Sequence, residues 1–148
     1  MKKLLLLLFI SLGIIGSANA ESFASFTDSL KPGIKEHFEF KFKEAFEILS
    51  PLAANGDDEA QLYLGVMYKN GEWVERDYFE AFNLFKQSAE QGNGWSQIHL
   101  AWMYIDGNGV LQDYKQAKYW FQTAYANGDE VIRERAKAAW DYLELGKN

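Results

Sequence analysis

The residues closest to a hydrolase's paired carboxylates are two acidic clusters, Asp57-Asp58-Glu59 and Asp129-Glu130. Both stand just ahead of apolar-periodic runs. There a carboxylate caps free backbone N–H groups and meets the positive end of a helix dipole, which accounts for them without catalysis. The two histidines, His37 and His99, lie in different segments, and no His-Glu-x-x-His motif makes a zinc site of either. Asp106-Gly107-Asn108-Gly109 offers oxygens to a calcium ion, but it lacks the alternating acids and the terminal bidentate glutamate of a calcium loop. It reads as a glycine-rich turn. Ser96 is not in a Gly-x-Ser-x-Gly elbow, and no Ser-x-x-Lys occurs. No catalytic residue, metal ligand or cofactor is expected. What remains is a stripe of rings: Trp95, His99 and Trp102, at steps of four and three. Rings so spaced share one helix face and act by burial against another surface.

The elements that carry this stripe are repeated. Ala45, Gly56, Gln61, Leu64, Met67, Tyr68, Gly71, Val74, Asp77 and Tyr78 recur 36 residues later as Ala81, Gly92, Gln97, Leu100, Met103, Tyr104, Gly107, Val110, Asp113 and Tyr114. Aligning 45–80 with 81–116 gives 12 identities in 36 positions. A third copy begins at Ala117 and Gly128 and then drifts. A fixed period of this length marks a helical solenoid, whose repeats stack to bury one continuous core.

Each repeat reads as two helices. In 57–70 the apolar positions 60, 64, 67 and 68 make one helical face, Asp57 is the cap, and Asn70-Gly71 is the stop. A second helix runs from about 78 to 91. Asp77 with Glu80, and Asp113 with Gln116, read as capping boxes. Gly92 and Gly128 are expected to end the second helices in the left-handed conformation. Gly65 and Ala101 mark the close approach of two helices, with Met67, Tyr68, Met103 and Tyr104 filling the space between hairpins. Residues 42–54 repeat the second-helix pattern, after a short degenerate helix at about 33–40. Residues 129–145 form a helix that has lost the Leu-Gly-x-Met-Tyr signature, as a solenoid cap would.

The run Gln61-x-x-Leu64-Gly65-x-Met67-Tyr68-x-x-Gly71-x-x-Val74-x-x-Asp77-Tyr78, with its second copy from Gln97 to Tyr114, resembles the Sel-one-like repeat, a relative of the tetratricopeptide repeat. The likeness covers about 42–128. It implies an all-α fold, a short α-solenoid of antiparallel helical hairpins coiling right-handedly, and a role as a non-catalytic scaffold that binds a protein or peptide. Trp73 stands where the family has its second loop glycine, so that loop is expected to differ in shape. Some cysteine-rich secreted members are described as acting on β-lactams. This chain has no cysteine, and that activity does not carry over. A hydrolase acting on cell-wall or β-lactam substrates and a secreted host-interaction factor remain the alternatives.

In such solenoids the first helix of each hairpin lines the concave side. The face left open by the core then carries Glu59, Leu62, Tyr63, Val66 and Lys69 in one copy. In the next it carries Trp95, Ile98, His99, Trp102 and Ile105, and in the cap Glu134, Arg135 and Ala138. The candidate partner-binding residues are Tyr63, Val66, Trp95, His99, Trp102 and Ile105. His99 adds a prospect of pH-dependent binding.

The remaining segments concern destination. Lys2-Lys3, the apolar run Leu4–Ile15 and Ala18-Asn19-Ala20 have the form of a secretory signal peptide, 1–20, with cleavage expected after Ala20. The run is shorter than the roughly 20 residues of a membrane span. The expected organisation is signal peptide, N-terminal segment 21–41, repeats 42–128, and capping helix with tail 129–148, in a bacterial periplasm or outside the cell. Net charge is −6 and becomes more negative once Lys2 and Lys3 leave, so nucleic-acid phosphates would be repelled.

Overall fold

A computed structural model describes residues 27–145. The signal-peptide segment 1–20, the start of the N-terminal segment, 21–26, and the tail 146–148 lie outside these residues. Seven helices run from Ile34 to Leu145: α1 (Ile34–Phe38), α2 (Phe42–Ala54), α3 (Asp58–Asn70), α4 (Tyr78–Glu90), α5 (Gly94–Asp106), α6 (Tyr114–Asn127) and α7 (Glu130–Leu145). The described residues contain no strand. None of their helices is long and apolar enough to cross a membrane.

Caps recur with the repeat. The side chains of Asp57, Asn93 and Asp129 accept from the amides of Ala60 (2.8 Å), Ser96 (3.0 Å) and Ile132 (2.9 Å) at the starts of α3, α5 and α7. Asp77 and Asp113 do the same for α4 and α6. The expected capping boxes are only half formed, because the backbone N–H of each cap is already taken. Asp77 N donates to Tyr68 O and Asp113 N to Tyr104 O, both at 2.9 Å. These bonds pin each loop to the end of the helix before it.

Helix α3 packs antiparallel on α4, and α5 on α6. The approach is close: a Cβ on Gly65 would lie 2.9 Å from the Phe85 ring. Its equivalent, Ala101, is fully buried. Gly128 corrects an expectation. It is extended (φ −76°, ψ 160°) rather than left-handed. It is glycine for space, since a Cβ there would meet Ile132 Cγ2 at 2.3 Å as α7 folds back onto α6.

Three core clusters follow one another along the stack. Leu49, Leu64 and Met67 lie in the first, Phe85, Leu100 and Met103 in the second, and Phe121, Ile132 and Ala136 in the third. Tyr68 meets the edge of Phe46, and Tyr104 that of Phe82, joining each hairpin to the helix before it. First helices touch, α1 with α3 and α5 with α7, which places them on the inner side of the stack. Helix α7 buries Ile132, Ala136 and Ala139. One repeat on from Gly65 and Ala101, where a paired helix would come closest, it carries Lys137, and one repeat on from Leu62 and Ile98 it carries Glu134. Both are exposed, so this face of α7 suits water rather than another hairpin.

Candidate protein-binding surface

The inner strip is built by α3 and α5, with α1 and α7 at its ends. Tyr63 and Val66 lie on α3, and the row Trp95, His99, Trp102 and Ile105 lies on α5, the first helix of the next repeat. Trp95, in the first turn of α5, is the most open of the six, at 41% exposed. The other five are half-buried. His99 stacks flat on Phe85, with centroids 4.7 Å apart and planes at 18°. Trp102 meets the edge of Phe121 at 5.5 Å and, with Ile105, packs on the third core cluster. Tyr63 leans on Phe38 and on His37, whose Nε2 lies 2.8 Å from a Glu72 oxygen. Val66 packs on the second cluster.

Leu62 and Ile98, expected on the open face, are buried at 6% and 8%. A first helix inside the stack has its own second helix, the previous hairpin and the next hairpin around it. Positions 62 and 98 face the next one, and only a narrow strip stays open. Glu134, at the same repeat position in α7, was the sign available in the sequence that this position faces a following hairpin. His37, Phe38 and Phe85 were not picked out as supports of the strip. They lie on other elements, beyond the reach of a one-helix periodicity.

The strip is apolar and weakly charged. Burial, with a smaller push from Lys69, lowers the His99 pKa from 6.5 to about 4, so the ring is neutral near pH 7. Burial also lowers the Lys69 pKa, against the pull of Glu72 and Asp106, and raises that of Tyr63. Among the described residues no three His, Asp or Glu side chains come together as a metal cage would require. The exposed ring of Trp95 offers an apolar or aromatic side chain a surface on which to be buried.

The Sel1 repeat family matches residues 58–93 and 96–129. Among solved structures, a Sel1 repeat protein from Oxalobacter formigenes superposes with a TM-score of 0.64 at 25% identity, over 70% of this chain and 43% of that one. A protective antigen present in uropathogenic Escherichia coli strains, which displays an SLR fold, gives a TM-score of 0.57 at 34% identity, over 63% of this chain and 20% of that one. The chain thus spans less than half the length of either. A comparison with curated proteins found no match. Sel1 repeats generally mediate protein–protein interaction and are typically non-catalytic. The chain thus carries two Sel1 repeats, stacked as α3–α4 and α5–α6.

Proposed function

We propose that the protein is an exported, non-catalytic interaction module that holds a peptide or a partner's helix on its inner strip, in the periplasm or outside the cell. The observation that carries the reading is Trp95. It is a large ring left 41% exposed on the strip, flanked by half-buried aromatics whose supports are already packed. Such an anchor, on a rigid floor, gains burial on binding without ordering new parts of the chain. Export rests on Lys2-Lys3, the apolar run and Ala18-Asn19-Ala20. N-terminal sequencing of protein recovered from the producing cell should begin at Glu21.

A photo-crosslinking residue at Trp95 tests the surface, with one at exposed Lys86 on α4 as the comparison. One defined protein should be captured from position 95 and not from 86. Equal labelling from both sites would sink the reading. Fractionating periplasm from medium separates a periplasmic scaffold from a secreted host-interaction factor.

A further inference from the structure

Where α7 folds back onto α6, the packing leaves a cleft of about 350 Å³. That lies at the lower end of the range of small-ligand sites, roughly 300–1,000 Å³. Phe121 and Ala136, each 1% exposed, and the half-buried Trp140 make its apolar floor. Tyr125, Lys137 and Asp141 stand in water around it. Lys118 Nζ sits over the Trp140 ring, 4.6 Å from its centroid, and steadies it.

The earlier hairpins close the same cleft themselves. Phe121, Ala136 and Lys137 stand one repeat on from Phe85, Leu100 and Ala101, and two on from Leu49, Leu64 and Gly65. In the first hairpin α4 brings Leu84 into the cluster of Leu49 and Leu64, and the Phe85 ring against Gly65. In the second, Phe121 of α6 shares a cluster with Ala101. Among the described residues no helix follows α7 to do this a third time. Two replacements set the third cleft apart. Alanine at 136, in place of leucine, deepens the floor. Lysine at 137, in place of glycine or alanine, puts an ion where a second helix would pack, and burying that ion under an apolar helix would be costly. The space left suits one ring rather than a helix.

The rim adds a charge pattern. Lys137 Nζ lies 2.6 Å from Asp141 Oδ2, and both side chains are exposed. A ligand with a single charge would draw one member of this pair from the other. A ligand carrying both charges can meet both members at once. We infer that the cleft is a binding site, separate from the inner strip, for a small aromatic zwitterion of the free aromatic amino acid class. The ring takes the place that Phe85 and Phe121 take in the earlier hairpins, the carboxylate meets Lys137, and the ammonium meets Asp141.

Equilibrium dialysis of the protein against radiolabelled L-phenylalanine tests this. Binding should saturate at one molecule per chain. Phenylacetate and phenethylamine, each lacking one charge, should compete about threefold less well, as exposed ion pairs imply. L-Alanine, with both charges and no ring, should not compete. Ala136→Leu should weaken binding about tenfold, because it restores the side chain that fills the floor in the earlier hairpins. Asp141→Asn changes only an exposed side chain, and should bring phenylacetate level with L-phenylalanine. The inference is overturned if L-phenylalanine shows no saturable binding, if L-alanine competes equally, or if Asp141→Asn leaves the order of the ligands unchanged. A dimer seen by light scattering that Ala136→Leu abolishes would give the cleft to a second copy and overturn it too.

Discussion

The two repeats agree in their framework and disagree on their surfaces. In both, a buried glutamine ties the first helix to the helix before it: Gln61 Nε2 donates to Ala53 O and Gln97 Nε2 to Ala89 O, each at 3.1 Å. In both, the second-helix cap donates its amide to a tyrosine carbonyl across the loop at 2.9 Å. The inner strip differs at every step, with Glu59, Tyr63, Val66 and Lys69 in one copy against Trp95, His99, Trp102 and Ile105 in the other. The loop differs in residue, Trp73 against Gly109, yet not in shape as expected: φ is +68° at one and +72° at the other. Residues that repeat satisfy backbone and core. Residues that do not repeat are free to be chosen for what they meet outside.

Position 73/109 offers the sharpest break in that comparison. At Gly109 the left-handed φ coincides with a clash, since a Cβ would sit 2.1 Å from Tyr78 O, a backbone atom that cannot swing away. Gly109→Ala should cost about 3–4 kcal/mol in denaturant unfolding. Trp73→Gly should move the other way by less than about 1 kcal/mol, since the relief of strain is partly offset by the loss of the ring's contact with Lys43. If Gly109→Ala costs under about 1 kcal/mol, the two loops do not share the packing described here.

A smaller effect separates His99 from Tyr63, its counterpart in the first repeat. Below about pH 6.5 the unfolded chain protonates this imidazole, while in the folded chain it stays neutral down to about 4. The unfolded state binds more protons across that window, so stability falls as pH drops from 6.5 to 4, by at most about 3 kcal/mol. His99→Phe keeps a ring on Phe85 and takes no proton. Its acid loss over the window should be smaller than the wild type's by that amount, in urea melts at several pH values. Parallel pH curves for the two proteins would show that His99 is hydrated in the fold.

Much of this was legible in the sequence because it is local or periodic. Asp57, Asp77 and Asp113 announce helix starts by type. Gly71 and Gly107 announce ends, and the 36-residue spacing places each helix to within a residue or two. What was not legible depends on neighbours far along the chain. The N–H of Asp77 goes to Tyr68 O across a loop, so the capping box stays half made. Ile98 is buried because a following helix covers it, which no single-helix pattern records. Trp73 keeps a glycine's backbone because the loop is held at both ends and leans on α2. Trp95 and His99 share a stripe yet differ in burial, because Phe85 lies beneath only one of them.

The glutamines that look alike should still prove unequal. Both are 2% exposed, and both donate to a helix-end carbonyl. Gln61 also accepts from Gln91 Nε2 at 2.8 Å, so both ends of its amide are used. Gln97 Oε1 is buried without a hydrogen-bond partner. Replacement by methionine, similar in length and unable to donate, removes the side-chain donor to the carbonyl of Ala53 or Ala89, which keeps only the backbone N–H of Gly56 or Gly92 at 3.0 Å. In the second copy it also removes an unsatisfied oxygen, which offsets part of the loss. Gln61→Met should therefore cost about 2 kcal/mol and Gln97→Met about 1 kcal/mol or less. A double-mutant cycle with Gln91→Ala should show coupling for position 61 and none for 97. Equal costs with no coupling would mean that the amide–carbonyl bond alone sets the glutamine's worth, and that the repeats are equivalent even in their buried polar groups.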